Sequence, residues 1–108
     1  MGQQILITGG KGDLARAIAR AFETAGDEVH APGRDELDVA DASSVERYFA
    51  TVEMPDLLVA NAGLAEDRLL ARTDLDSWDR QLQVNLHGAY RCARAVARGM
   101  IKRRSGHL

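Results

Sequence analysis

Eight consecutive residues, Thr8-Gly9-Gly10-Lys11-Gly12-Asp13-Leu14-Ala15, carry the strongest chemical signal in this chain. The apolar run Ile5-Leu6-Ile7 leads into them, and Leu14, Ala15, Ile18, Ala19 and Phe22 follow at the spacing of one helix face. A strand that turns at once into a helix aims backbone N–H groups and the positive end of the helix dipole at one point, which stabilises a diphosphate. Gly9 permits the turn, Gly12 lets a ligand approach the backbone, and small Ala15 allows close packing of helix on strand. A glycine pattern alone also describes an ordinary turn. The strand before it and the helix after it give the context of a nucleotide-binding loop.

A dinucleotide site of this kind carries an acid at the end of the second strand to hold the adenosine ribose. Here that place reads Ala31-Pro32-Gly33-Arg34, and the first acids, Asp35 and Glu36, come only after the arginine. Arg34, with Lys11 as a second cation, suits a 2′-phosphate, so NADP is the expected cofactor and NAD the alternative. One charge-assisted hydrogen bond is worth about 1.5–3 kcal/mol. An exposed Arg34 paired with Asp35 or Glu36 is worth little.

The elements that must position these residues follow from periodicity and punctuation. Strands are expected at 4–8, 28–31, 37–39 and 57–60, the third brief and the second followed by a turn at Pro32-Gly33. The first helix stops at Gly26. A second, capped by Ser43 or Ser44, reaches about Thr51 with Val45, Tyr48, Phe49 and Val52 inward. Thr73 and Asp76 have the spacing of a capping box for a last helix over 75–103. Along it Leu75, Trp78, Leu82, Leu86, Ala89, Ala93, Val96 or Ala97, and Met100 recur at steps of three and four. That helix is about 43 Å long, against a radius of gyration near 13 Å for a compact chain of this size. It must bend near Gly88 or pack its outer part against something else. The order implies an α/β fold, a doubly wound parallel sheet with helices on both faces.

Composition narrows the alternatives. The 108 residues allow one domain, and 45% hydrophobic with 28% charged residues is the balance of a globular protein. A net charge of −2 gives no field that gathers nucleic acid. Six bases and no acid lie between Arg91 and Leu108, but no aromatics interleave them, so a solvated helix face is favoured over an anion-binding tail. No apolar run could cross a bilayer, and no secretion signal opens the chain, so a cytoplasmic protein with no membrane or nucleic-acid partner is expected. His30, His87 and His107 lack ligand spacing, and Cys92 reads as a packing residue, so no metal site is expected.

Several segments jointly resemble the short-chain dehydrogenase/reductase family. They are Ile7-Thr8-Gly9-Gly10, Leu37-Asp38-Val39, Ala60-Asn61-Ala62-Gly63, Trp78-Asp79-Arg80, Val84-Asn85-Leu86-His87-Gly88 and Met100-Ile101-Lys102-Arg103-Arg104-Ser105-Gly106. The last resembles the bacterial 3-oxoacyl-acyl-carrier-protein reductases. The resemblance implies a Rossmann-type sheet and hydride transfer between NADP(H) and a carbonyl or hydroxyl carbon, on a small-molecule substrate such as a 3-oxoacyl thioester. It implies that Asp38 and Val39 meet the adenine, that Asn61, Ala62 and Gly63 line the nucleoside side, and that Asn85 belongs to the catalytic tetrad. With the glycine loop (Thr8, Gly9, Gly10, Lys11, Gly12, Asp13, Leu14) and Arg34, these form the candidate site.

Two features depart from the family pattern. The commonest glycine motif, aligned without gaps, would place glycines at Asp13 and Ala15; the spacing here, Gly9-x-x-Gly12-x-x-Ala15, is similar to atypical branches. The family's serine and Tyr-x-x-x-Lys pair are also missing: Tyr48 is followed four residues later by Val52, and Tyr90 by Arg94. Residues 1–108 are therefore expected to be the NAD(P)-binding part of a longer reductase, truncated where a fifth strand would begin at Gly106-His107-Leu108, and inactive alone. The long 75–103 helix is expected to join copies into a homo-oligomer. The alternative is a non-catalytic nucleotide-binding or dimerisation module.

Overall fold

Alternation in the first strand organises the whole chain, whose computed structural model describes residues 2–108. In β1 (Gln4–Ile7), Ile5 and Ile7 face one side and Leu6 the other, and all three are buried, as in a parallel strand covered on both faces. Ile5 and Ile7 pack with Ala15, and with half-buried Ile18, Ala19 and Phe22, from helix α1 (Asp13–Thr24). Leu6 packs on the opposite side with Val45, Cys92, Val96 and Met100. These come from α2 (Ala42–Thr51) and α4 (Ala89–Arg103). The layers are thus helix, sheet, helix. The sheet order is β2-β1-β3, with β2 (Glu28–His30) and β3 (Leu57–Val59) both parallel to β1.

The expected strand at 37–39 does not form. Leu37 and Val39 are buried as a strand pattern predicts, but they sit in a turn. Asp38 makes that turn: its Oδ1 accepts from Ala40 N at 3.0 Å, while its own N–H donates to Ser44 Oγ at 2.9 Å. The side chains fill the α2–α4 layer from a loop rather than from a fourth strand. A fourth parallel pairing is instead begun at the other edge, where Leu58 N donates to His107 O and His107 N donates to Asp56 O, both at 3.0 Å.

Helix ends and faces differ from expectation at two caps and two side chains. Asp41, not a serine, caps α2, its Oδ1 accepting from Ser43 N at 3.0 Å. Asp74 caps α3 (Leu75–Leu82), its Oδ1 accepting from Ser77 N at 2.8 Å, so Thr73 and Asp76 form no capping box. Leu14 and Val52 lie exposed rather than inward.

Residues 75–103 form one run of helix broken in character by a π-helical turn, Gln83–Gly88, between α3 and α4. The buried row runs through Ser77, Gly88, Cys92, Val96 and Met100, while Leu75, Trp78 and Leu86 of the expected stripe are exposed. Arg91 fastens this segment inward, donating from Nη1 to Val39 O at 3.0 Å and from Nη2 to Gln83 Oε1 at 2.8 Å. Arg103 pairs with Asp56 at 3.5 Å and donates to Pro55 O. These two bases of the C-terminal stretch hold the fold together. The long helix draws the molecule out to 52 × 28 × 22 Å, with a radius of gyration of 14.9 Å.

Candidate functional site

Three loops leave the carboxyl ends of β1, β3 and β2 and meet over a cleft of about 860 Å³. The first supplies Gly9, Lys11 and Gly12, the second Asn61, Ala62 and Gly63, and the third Gly33, Arg34, Leu37, Asp38 and Val39. Open parallel sheets place ligands at this end, where helix N-termini and strand C-termini converge. The far wall, from α3 and the π turn, adds Asp76, Asp79, Arg80, Gln83 and Val84.

The glycine loop has the geometry its sequence suggests. Gly9 sits at φ +63°, a left-handed conformation that L side chains rarely adopt, and a Cβ there would lie 2.9 Å from Ala62 Cα. Gly10 donates from its N–H to Pro32 O at 2.9 Å, tying the loop to the end of β2. Gly12 precedes α1 as its N-cap with no side-chain hydrogen bond, and a Cβ there would meet only Gly9 O, at 3.5 Å. No side chain caps the first amides of α1, so an open helix N-terminus adjoins the Gly9 and Gly12 lining of the cleft, an arrangement suited to phosphate oxygens. Asp13 opens α1 and is exposed; neither it nor Leu14 lines the cleft.

Thr8 acts behind the loop rather than in it. Its buried Oγ1 accepts from Asn61 N and Ala62 N, both at 3.0 Å, and Asn61 Nδ2 donates to Thr8 O at 3.1 Å. This joins the ends of β1 and β3 and fixes the Asn61-Ala62-Gly63 wall. Asn85 stands in the π turn beside that wall. Its Oδ1 accepts from Leu64 N at 2.8 Å and its Nδ2 donates to Leu64 O at 2.7 Å, so the carboxamide pairs with the loop as a strand neighbour would.

Charges at the two ends differ. Lys11 Nζ lies 3.1 Å from Asp35 Oδ1, and this hydrogen bond holds the Asp35 carboxyl below the usual aspartate range. Arg34 faces Asp38, not Asp35 or Glu36, with Nε 3.7 Å from Oδ2. At the other end Arg80 donates to both oxygens of Glu66, at 3.1 and 3.0 Å, which lowers the glutamate pKa and raises that of the arginine. This bidentate pair fastens the 64–69 loop to α3. Glu66 and Arg80 lie fourteen residues apart, so no local spacing in the sequence marks the pair. Among the described residues no group of three or more His, Cys, Asp or Glu side chains is gathered as metal ligands. No helix among them is long and apolar enough to cross a membrane.

Fold and cleft together define a Rossmann-type α/β unit, with a glycine-turn cradle at the carboxyl edge of a parallel sheet. The sequence profile described as short chain dehydrogenase matches residues 35–108, and the chain belongs to that family. It is 32% identical to a 3-oxoacyl-acyl-carrier-protein reductase of Vibrio harveyi, covering 99% of this chain and 53% of that protein. A short-chain dehydrogenase from Streptomyces avermitilis superposes with a TM-score of 0.92 at 26% identity, over 98% of this chain and 47% of the other. The closed form of serine dehydrogenase complexed with NADP+ superposes with a TM-score of 0.88 at 28% identity, over 96% and 51%. The chain thus spans about half the length of the curated relatives it matches.

Proposed function

We propose that residues 1–108 form the NAD(P)-binding unit of a short-chain oxidoreductase, with NADP the preferred dinucleotide. The observation that carries this reading is the Gly9–Gly12 cradle opening onto the cleft between Lys11 and Arg34. In this reading Gly9, Gly12 and the first amides of α1 hold the diphosphate, with Thr8 and Gly10 setting the loop's shape. Asp13 and Leu14 contribute backbone amides there, while their side chains point to solvent. Arg34 and Lys11 face the 2′-phosphate, Asp38 and Val39 border the adenine, and Asn61, Ala62 and Gly63 line the nucleoside side. The dinucleotide supplies hydride chemistry at a carbonyl or hydroxyl carbon. Similarity to 3-oxoacyl-acyl-carrier-protein reductases supports a 3-oxoacyl thioester as substrate.

Asn85 is the tetrad member we assign within these residues, and it positions the Gly63-Leu64 wall. Since neither tyrosine is followed by lysine at the fourth place, the 108 residues alone should bind the dinucleotide without turning it over. The exposed Trp78, Leu86, Tyr90 and Ile101 along residues 75–103 support association of copies through that helix, which light scattering would register as a dimer or larger.

Fluorescence titration of NADPH and NADH against the chain and its Arg34→Ala variant tests the cofactor reading. Loss of one charge-assisted contact should weaken NADPH about ten- to a hundredfold and leave NADH nearly unchanged. Unchanged NADPH affinity would reject the role given to Arg34.

A further inference from the structure

One cleft-lining side chain bridges two of the loops that form the cleft. Lys11 leaves the glycine loop and runs over Gly33 so closely that a Cβ there would sit 2.7 Å from both its Cδ and its Cε. It ends on Asp35, on the far loop, at 3.1 Å. The second cation at this end, Arg34, stands 3.7 Å from Asp38, beyond hydrogen-bonding distance, with its side chain 88% exposed. Asp38 also receives the Ala40 amide. Of the two ion pairs, Lys11–Asp35 is the shorter, and it bridges two of the three loops that make the cleft.

We infer that Asp35 is a specificity-determining residue of this site: it competes with a 2′-phosphate for Lys11 and narrows the preference for the phosphorylated dinucleotide. The inference rests on the reading of the cleft as a nicotinamide dinucleotide site. A 2′-phosphate must take Lys11 from Asp35 and then sit beside the displaced carboxylate. An unphosphorylated ribose offers neutral hydroxyls and meets neither cost. Because Lys11 holds the Asp35 carboxyl below the usual carboxylate range, the competitor is charged at neutral pH. Both partners are 66% exposed, so water and salt weaken the pair and the effect is a severalfold one.

The experiment titrates NADPH and NADH against the chain, Asp35→Asn and the double variant Asp35→Asn/Lys11→Met. The amide is isosteric and exposed, so the fold is undisturbed. Asp35→Asn should tighten NADPH about three- to tenfold and leave NADH within about twofold, with a flatter result at high salt. The double variant should lose that gain. Equal shifts for both dinucleotides, no shift, or a gain that survives loss of Lys11 overturns the role of Asp35 while leaving the dinucleotide site standing. A wild-type chain that binds neither dinucleotide overturns the site itself, and this inference with it.

Discussion

Val39 occupies the space where a side chain on Gly88 would begin: a Cβ on that glycine would lie 2.6 Å from Val39 Cγ2. The π turn and the cleft-lining loop are therefore in contact through the absence of one methyl group. Gly88→Ala must push Val39 outward. Overpacking of this kind costs about 1–3 kcal/mol. We expect a urea midpoint lowered accordingly, with NADPH binding weakened severalfold because Val39 borders the cleft. A variant as stable as wild type would refute this contact.

Asn85→Ala removes both partners of the Leu64 backbone. With each such hydrogen bond worth about 1 kcal/mol, the loss should be about 1–2 kcal/mol in denaturant titration. Asn85→Asp keeps the acceptor but sets a second oxygen against the Leu64 carbonyl, so it should be no better than alanine at neutral pH.

Gly10 and Gly12 should separate folding from binding. A Cβ on Gly10 would fall 2.0 Å from Ala31 O, a backbone atom that cannot yield, so Gly10→Ala should fail to fold cooperatively. Gly12 has room for a methyl group, and Gly12→Ala should change stability by less than about 1 kcal/mol. Its NADPH affinity should nonetheless fall, because the methyl group stands where phosphate approaches. Circular dichroism and titration on the same two proteins check both statements.

Cys92 is buried, and burial pushes its thiol up to about 11 from 9.0. The folded state thus holds its proton over a range where the unfolded chain releases it. Stability from this group is complete below pH 9 and is lost as pH rises through 11, by about 2–3 kcal/mol in all. Unfolding midpoints measured from pH 8 to 11.5 should fall more steeply for wild type than for Cys92→Ala. Parallel slopes would contradict the assignment.

Local signals were legible in the sequence and phase was not. The run from Ile5 to Gly12 reads correctly because each residue's role depends on its immediate neighbours: buried pleat, left-handed turn, helix start. Leu37-Asp38-Val39 misleads because alternating burial is also what a turn produces when Asp38 folds it back and both flanking side chains reach the core. The stripe over residues 75–103 misleads for another reason. Small Gly88 and Cys92 face inward because the Val39 loop and the sheet come close, while Leu75, Trp78 and Leu86 stay outside. Hydrophobicity cannot report how near a neighbour will stand. The Glu66–Arg80 clamp and the Lys11–Asp35 bridge join loops that only tertiary structure brings together.

Since Ile5 and Ile7 belong to one layer and Leu6 to the other, β1 works as an odd–even counter. Inserting or deleting a single residue between Ile5 and Thr8 would exchange the two layers' contents and swing the Thr8 hydroxyl away from Asn61 and Ala62. The address of the cleft is written in the parity of a four-residue strand. Within that strand, only an even shift in register would leave both layers and the Thr8 hydroxyl in place.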